Sequence, residues 1–197
     1  GERQSILPNV TDISIDQDAA NEQDVSFNKT LKADATHAGG NERHSGGNLS
    51  FSFPLNLSWS FRADGVKEKT IDLPQPIIAK GKVFVIDGRS KLRAFDLETG
   101  KTAWSFRLDP QSDEHIPGII GGLAYREDMI VAHSGRENLY AFDIKTGNVL
   151  WQKTVEDSLR GGPTLSELNN VIVTDLDGTV YVFSLSDGAL IWQRAGF

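Results

Sequence analysis

Three observations predict an all-β fold built from repeated four-stranded sheets. The stretch AFDLETGKTAW, Ala94 to Trp104, returns as AFDIKTGNVLW, Ala141 to Trp151, and again as VFSLSDGALIW, Val182 to Trp192. Between the copies, β-branched and aromatic residues run in short segments bounded by Gly, Asp and Asn, which is the patterning of strands and tight turns. The chain also holds 19 glycines in 197 residues, a content that disfavours helices, where each Gly costs about 1 kcal/mol relative to Ala.

Taken in order, the chain opens on a polar stretch, 1–35, rich in Asp, Asn, Gln and Ser and without strand or helix periodicity. Such a composition buries too little apolar surface to fold alone, so it reads as a flexible acidic tether. HAGGNERHSGGN, His37 to Asn48, follows as a loop, and LNLSWSF opens a lone outer strand over 55–62. From about Gln75 onward the text repeats. Each unit offers a short lead segment (QPIIA, IGGLAY, GGPTLS) and an apolar run (KVFVID, DMIVAH, NVIVTD). An alternating run follows (KLRAFDL, NLYAFDI, TVYVFSL), then a Trp-bearing run (TAWSFRL, VLWQKTV, LIWQR). Four short strands per unit at a period of 40 to 50 residues is the anatomy of a β-propeller blade. The blades are placed at about 75–108, 117–155 and 161–194, inside a partial propeller over 36–197.

The motif has a physical reading of its own. Asp96 and Asp143 accept a backbone N–H two residues on and start a tight turn. Gly100, Gly147 and Gly188 each stand four residues before a Trp and supply the left-handed residue that closes the hairpin. Trp104, Trp151 and Trp192 then lie on outermost strands, where each ring is expected to wedge against the next blade and its N–H to find a turn carbonyl. In the third copy Ser184 replaces the Asp, and Asp187-Gly188 keeps the hairpin signal.

Composition excludes several classes. There is no Cys, so disulfides and thiolate metal sites are absent from this sequence. The net charge of −7 argues against a nucleic-acid binder. No apolar run reaches transmembrane length. His37 and His44 share a Gly-rich loop without a known metal-ligand spacing, and His115 and His133 read as structural. GIIGG, 118–122, lacks the P-loop Lys and helix. DLDGT, 175–179, lacks the later Glu of a calcium loop and reads as a β-turn. No residue is assigned a catalytic, cofactor-binding or metal-binding role. In SLRGG, 158–162, Arg160 is a candidate partner contact, since Arg is enriched at interface hot spots. The plainer reading, an Arg that satisfies turn carbonyls, ranks above it.

The motif copies resemble the tryptophan-docking repeat of PQQ-type propellers. That repeat occurs in quinoprotein dehydrogenases and in the BamB family, propeller lipoproteins of the outer-membrane β-barrel assembly machinery. The order here is a polar tether, HAGGNERHSGG, the Trp strand LSWSFRADG, then PIIAKGKVFVIDGRSKLRAFDLETGKTAWSF and the openings IPGIIGGLAY and LRGGPTL. It is more similar to BamB, over about Thr36 to Phe197. The resemblance implies an eight-bladed ring and a non-enzymatic scaffold without cofactor. It implies periplasmic location, with outer-membrane anchoring through a lipidated Cys outside this sequence. It implies binding to the POTRA domains of BamA, with other assembly subunits and nascent outer-membrane proteins as further partners. The competing readings are a PQQ-dependent dehydrogenase, which needs quinone and calcium, and a ligand-sensing propeller.

Three units are complete, while Trp59 marks an outer strand with no inner strands before it. In a closed propeller such a strand completes the last blade and removes an exposed edge. The expectation is therefore the N-terminal portion of a longer protein. Repeat arrays need capped ends, so this chain is expected to self-associate. The alternative is an open array whose ends the N-terminal arm masks.

Overall fold

Each copy of the motif closes one antiparallel sheet. The computed structural model describes residues 57–62, 73–110 and 121–196, all within one unit, 31–197. The tether, His37, His44, His115 and most of GIIGG lie outside the described residues. Among the described residues there are twelve strands and no helix. Sheet 1 contains β1 (Ile77–Ala79), β2 (Lys82–Ile86), β3 (Lys91–Asp96) and β4 (Thr102–Arg107). Sheet 2 contains β5 (Gly122–Arg126), β6 (Met129–His133), β7 (Asn138–Asp143) and β8 (Val149–Thr154). Sheet 3 contains β9 (Leu159–Leu165), β10 (Asn170–Asp175), β11 (Val180–Ser184) and β12 (Leu190–Arg194). Every sheet is a meander in chain order. Consecutive strands are joined by hairpins too short to cross over, which forces antiparallel neighbours.

Register puts equivalent residues in rows across each sheet. One row reads Ile77–Phe84–Ala94–Trp104 in sheet 1 and Ala124–Val131–Ala141–Trp151 in sheet 2. In sheet 3 it reads Thr164–Ile172–Val182–Trp192. The outer pair of every sheet has a register shift just beside this row, between Ala94 and Phe95, Ala141 and Phe142, and Val182 and Phe183. One extra residue on the outer strand (Ala103, Leu150 or Ile191) forms a β-bulge there, which twists that strand and re-aims the Trp.

The turns explain the tight hairpins. Lys80 and Gly81 (φ 49° and 72°) and Glu127 and Asp128 (φ 48° and 62°) are left-handed at both central positions. That is the geometry of the type I′ turn, whose twist matches the strands it joins. Glu127-Asp128 carries no glycine, so its sequence hides its turn type.

The sheets pack face to face. Phe84, Leu92, Ile130 and Phe142 are fully buried between sheets 1 and 2. Leu139, Leu159, Leu165 and Val171 are buried between sheets 2 and 3. Each such side chain contributes about 1.5–3 kcal/mol by leaving water. The inner strands of sheets 2 and 3 approach closely, since a Cβ on Gly122 would lie 2.5 Å from Gly162 Cα. Glycine at 122 permits that backbone contact, whereas a Cβ on Gly162 would meet nothing within 4 Å. Sheets stacked side by side with their first strands innermost are propeller blades.

One expectation needs correction. Residues 57–62 are not a strand, and none of the twelve strands pairs with them. An outer strand needs a neighbour to accept its backbone bonds, and the described residues offer none there. Gly161 and Gly162 lie in β9, the strand that the lead segment GGPTLS marks, and Arg160 lies in it too. The β9–β10 pairing jumps from Ile172↔Thr164 to Thr174↔Arg160. The glycine pair sits in that irregularity, with Gly161 at φ 71°.

Candidate functional site

The most organised part of the molecule is the array of tryptophans that joins neighbouring blades. Trp104 on β4 of sheet 1 donates its indole N–H to the Ile144 carbonyl of sheet 2 at 3.0 Å. Trp151 of sheet 2 does the same to Leu185 of sheet 3 at 2.8 Å. Trp59 donates to Leu97 of sheet 1 at 2.8 Å. Each ring lies on the motif glycine of the blade it joins. A Cβ on Gly100 would meet Trp59 at 2.8 Å, on Gly147 Trp104 at 2.5 Å, and on Gly188 Trp151 at 2.8 Å. These glycines also have φ of 68°, 74° and 68°. The motif glycine therefore serves twice, closing its hairpin and leaving room for the preceding blade's indole.

The rest of the motif presents that carbonyl. Gly100, Gly147 and Gly188 N–H groups donate to the carbonyls of Asp96, Asp143 and Ser184, each at 2.9 Å. Asp143 Oδ1 accepts the Lys145 and Thr146 backbone N–H groups and the Thr146 hydroxyl. Asp96 Oδ1 accepts the Thr99 hydroxyl and N–H. The Thr99 hydroxyl holds the Asp96 carboxyl below its ordinary pKa, and the Thr146 N–H does so for Asp143. In sheet 3, Asp187 takes over by accepting the Ala189 N–H at 3.0 Å, which lowers its pKa in the same way. Ser184 instead faces the Ser186 hydroxyl at 3.0 Å.

Aromatic packing adds to the docking. Trp104 lies between Phe84 and Phe142, with ring centroids 5.7 and 6.0 Å away. Phe61 packs on Phe95 at 4.6 Å, and the Arg93 guanidinium stands over Phe61 at 5.4 Å. Trp151 is 7% exposed, whereas Trp192 is 49% exposed. No acceptor for the Trp192 N–H occurs among the described residues.

A second array was not anticipated from the sequence. The last residue of β10 and β6, and the residue just after β2, are the buried polar residues Asp175, His133 and Asp87. Asp87 Oδ1 accepts the Arg89 and Lys91 N–H groups, and its Oδ2 accepts Arg93 Nε at 3.1 Å. Asp175 Oδ1 accepts the Thr179 N–H at 2.8 Å, and its Oδ2 the Tyr181 hydroxyl at 3.0 Å. DLDGT is thus a turn anchored on Asp175. In the middle sheet, His133 Nδ1 accepts the Gly135 N–H at 3.0 Å. The proton therefore sits on Nε2, which donates to the Gly161 carbonyl of sheet 3 at 2.7 Å. Burial lowers the His133 pKa to about 4, so the ring is neutral. Both nitrogens are occupied, Nδ1 in the turn that follows β6 and Nε2 across to sheet 3.

Polar contacts repeat at the blade rims. Arg136 pairs with Asp109 between sheets 1 and 2. Arg126 Nε donates to Asn169 Oδ1 at 3.1 Å between sheets 2 and 3. Lys80 lies 3.5 Å from Asp128 on an exposed rim. Arg160 is exposed on β9 and bonds to no turn carbonyl among the described residues. No group of three His, Cys, Asp or Glu with metal-binding geometry occurs among the described residues. No helix there is long and apolar enough to cross a membrane.

Radially stacked four-stranded blades, each locked to the next by a tryptophan on a glycine turn, define a PQQ-type β-propeller. A model of the family described as outer membrane protein assembly factor BamB matches residues 56–170 and 111–196, and the chain belongs to that family. Quinohemoprotein alcohol dehydrogenase from Comamonas testosteroni superposes with a TM-score of 0.67 at 19% identity, over 85% of this chain and 28% of that one. A europium-containing methanol dehydrogenase gives 0.66 at 17% identity, over 83% and 32%. BamB from Moraxella catarrhalis gives 0.46 at 22% identity, over 58% and 33%. At these identities the likeness is one of fold. The chain spans about a third of the length of each. No curated protein matches it.

Proposed function

We propose that this chain is a non-enzymatic scaffold of outer-membrane β-barrel assembly that acts in the periplasm and binds the POTRA domains of BamA. The observation that carries the reading is the family match across 56–196. The site chemistry agrees with it. The buried polar side chains Asp87, His133 and Asp175 are committed to turn and inter-blade hydrogen bonds. Binding surfaces come with the architecture. β4, β8 and β12 are outer strands that pair on one side only, and such edges add a partner strand through main-chain bonds. Val149, Leu150, Leu190 and Ile191 stand exposed on two of them. A lipid anchor on the longer protein would hold these edges near the membrane.

The test is a direct titration of the chain against isolated BamA POTRA domains. A parallel addition of PQQ and calcium is followed by visible absorbance. Saturable POTRA binding with an unchanged spectrum is the expected result. A quinone absorbance change without POTRA binding would replace the scaffold with a dehydrogenase, and the absence of both would remove the partner assignment.

A further inference from the structure

The two seams between sheets are fastened differently. Both carry a tryptophan bond on the outer strand, Trp104 to Ile144 and Trp151 to Leu185. Of the three buried polar residues, Asp87 accepts bonds from Arg89, Lys91 and Arg93 of its own sheet. Asp175 likewise accepts from Thr179 and Tyr181 of its own sheet. His133 alone reaches across a seam, from the end of β6 to the Gly161 carbonyl of β9. Its register partner Gly122 touches the same place, since a Cβ there would lie 2.7 Å from the Gly161 oxygen and 2.5 Å from Gly162 Cα. Sheets 2 and 3 are thus held at their inner ends by His133 and Gly122, in addition to Trp151.

That inner hold fits only the neutral ring. Nδ1 accepts the Gly135 N–H at 3.0 Å, so a proton on Nδ1 sets two donors against each other. It also places a charge on a side chain that is 0% exposed, which is strongly unfavourable without a paired anion. The charged groups on the surrounding elements do not supply one. Arg136, in the turn after β6, pairs with Asp109. Arg160, beside Gly161 on β9, has the same sign as a charged imidazole. Asp175 on β10 is committed to Thr179 and Tyr181. Glu137, also in the turn after β6, has no effect on the ring: burial lowers its pKa, and the Gly161 carbonyl is what opposes that.

We propose that His133 is a proton-operated latch on the seam between sheets 2 and 3, so that acid loosens this seam while the seam between sheets 1 and 2 stays closed. The open form lets the imidazole meet water and keep its proton. The closed form refuses that proton. Opening is therefore favoured as pH falls below the ordinary imidazole range, and above that range the latch is shut. Asp87 cannot do the same for the other seam, because its bonds stay within sheet 1. The proposal does not rest on the POTRA reading, since it concerns only contacts inside this chain.

The test is hydrogen exchange followed by NMR at stepped pH, with protection corrected for the intrinsic pH dependence of exchange. The Trp151 indole N–H reports the seam between sheets 2 and 3, the Trp104 indole N–H reports the other seam, and the Gly135 amide reports the ring itself. Between about pH 7 and about pH 4, protection at Trp151 and Gly135 falls about a hundredfold, while protection at Trp104 holds. That factor is the linkage of a ring with a pKa of about 4 when closed and about 6.5 when open. His133→Gln keeps an amide N–H for Gly161 and an amide oxygen for Gly135 but takes up no proton, so it abolishes the fall at Trp151. Asp187→Asn removes the titrating carboxylate of the turn on which Trp151 lies and leaves the fall in place, which keeps the test decisive if His133→Gln does not fold. Equal loss at both indoles overturns the latch in favour of global opening. A fall that persists in His133→Gln or vanishes in Asp187→Asn overturns it as well, and so does wild-type protection at Trp151 that is flat with pH.

Discussion

Replacing Gly147 by Ala tests the docking array at its tightest point. The substitution has two separable costs. A non-glycine residue at φ 74° is strained by about 1–2 kcal/mol. The new Cβ would also lie 2.5 Å from Trp104 Cδ2, where carbon atoms prefer about 3.5–4.0 Å. The indole must therefore retreat by about 1 Å, which breaks its bond to Ile144 and opens its packing between Phe84 and Phe142. Removing the ring altogether, as Trp104→Ala, is expected to cost about 3 kcal/mol, the low end for a large aromatic because Trp104 is only half-buried. If Gly147→Ala forfeits about two-thirds of that docking, its total cost is about 3–4 kcal/mol. In the Trp104→Ala background only the strain remains, about 1–2 kcal/mol. The double-mutant cycle should thus show a coupling of about 2 kcal/mol. Gly81→Ala provides the control. Gly81 has φ 72° but nothing within 4 Å of a Cβ, so it reports strain alone. The assay is urea unfolding followed by far-ultraviolet circular dichroism. The reasoning fails if Gly147→Ala costs no more than Gly81→Ala, or if its cost is unchanged when Trp104 is absent.

Further outcomes follow from the same geometry. His133 is neutral in the folded protein with a pKa of about 4, against about 6.5 unfolded. The unfolded chain then binds the extra proton, so stability falls as pH drops from about 6.5 to about 4, by a total of about 3 kcal/mol. Urea titrations at stepped pH should show this slope in the wild type and lose it in His133→Gln. Asp96, Asp143 and Asp187 have lowered pKa values, so their contribution is complete above the unfolded carboxylate range and is lost progressively as pH falls from there through their folded values. Asp175→Ala strands the Thr179 N–H and the Tyr181 hydroxyl, at about 1–3 kcal/mol for each buried group left unpaired. Adding Tyr181→Phe should recover part of that loss in thermal unfolding. Trp151→Ala, which removes a ring 7% exposed, should cost about 3–5 kcal/mol. Trp192→Ala should leave the monomer within about 0.5 kcal/mol of wild type, as compared by urea midpoints at low protein concentration.

The sequence by itself determined the blade. Strand periodicity is local, and a Gly four residues before a Trp marks a hairpin wherever it stands. All three sheets could therefore be laid out from runs such as KLRAFDL and NLYAFDI, because antiparallel meanders are built from neighbours in the chain. It could also announce that each indole needs a distant carbonyl, since a buried N–H must be paired.

Only the tertiary structure decided which carbonyl. Trp104 finds Ile144, 40 residues on, because blade stacking brings one unit's outer strand onto the next unit's turn. The His133–Gly161 bond was illegible for the same reason. Its partner is 28 residues away, and the equivalent positions in the other blades hold Asp87 and Asp175, so no repeated letter marks the site. Backbone strain was hidden as well, since Glu127-Asp128 carries no turn signature and adopts a type I′ turn because its strands demand it. The Trp59 segment shows the limit most clearly. Its text is that of an outer strand, yet a strand exists only where a neighbour accepts its hydrogen bonds, and whether one is present is a property of the assembled sheets.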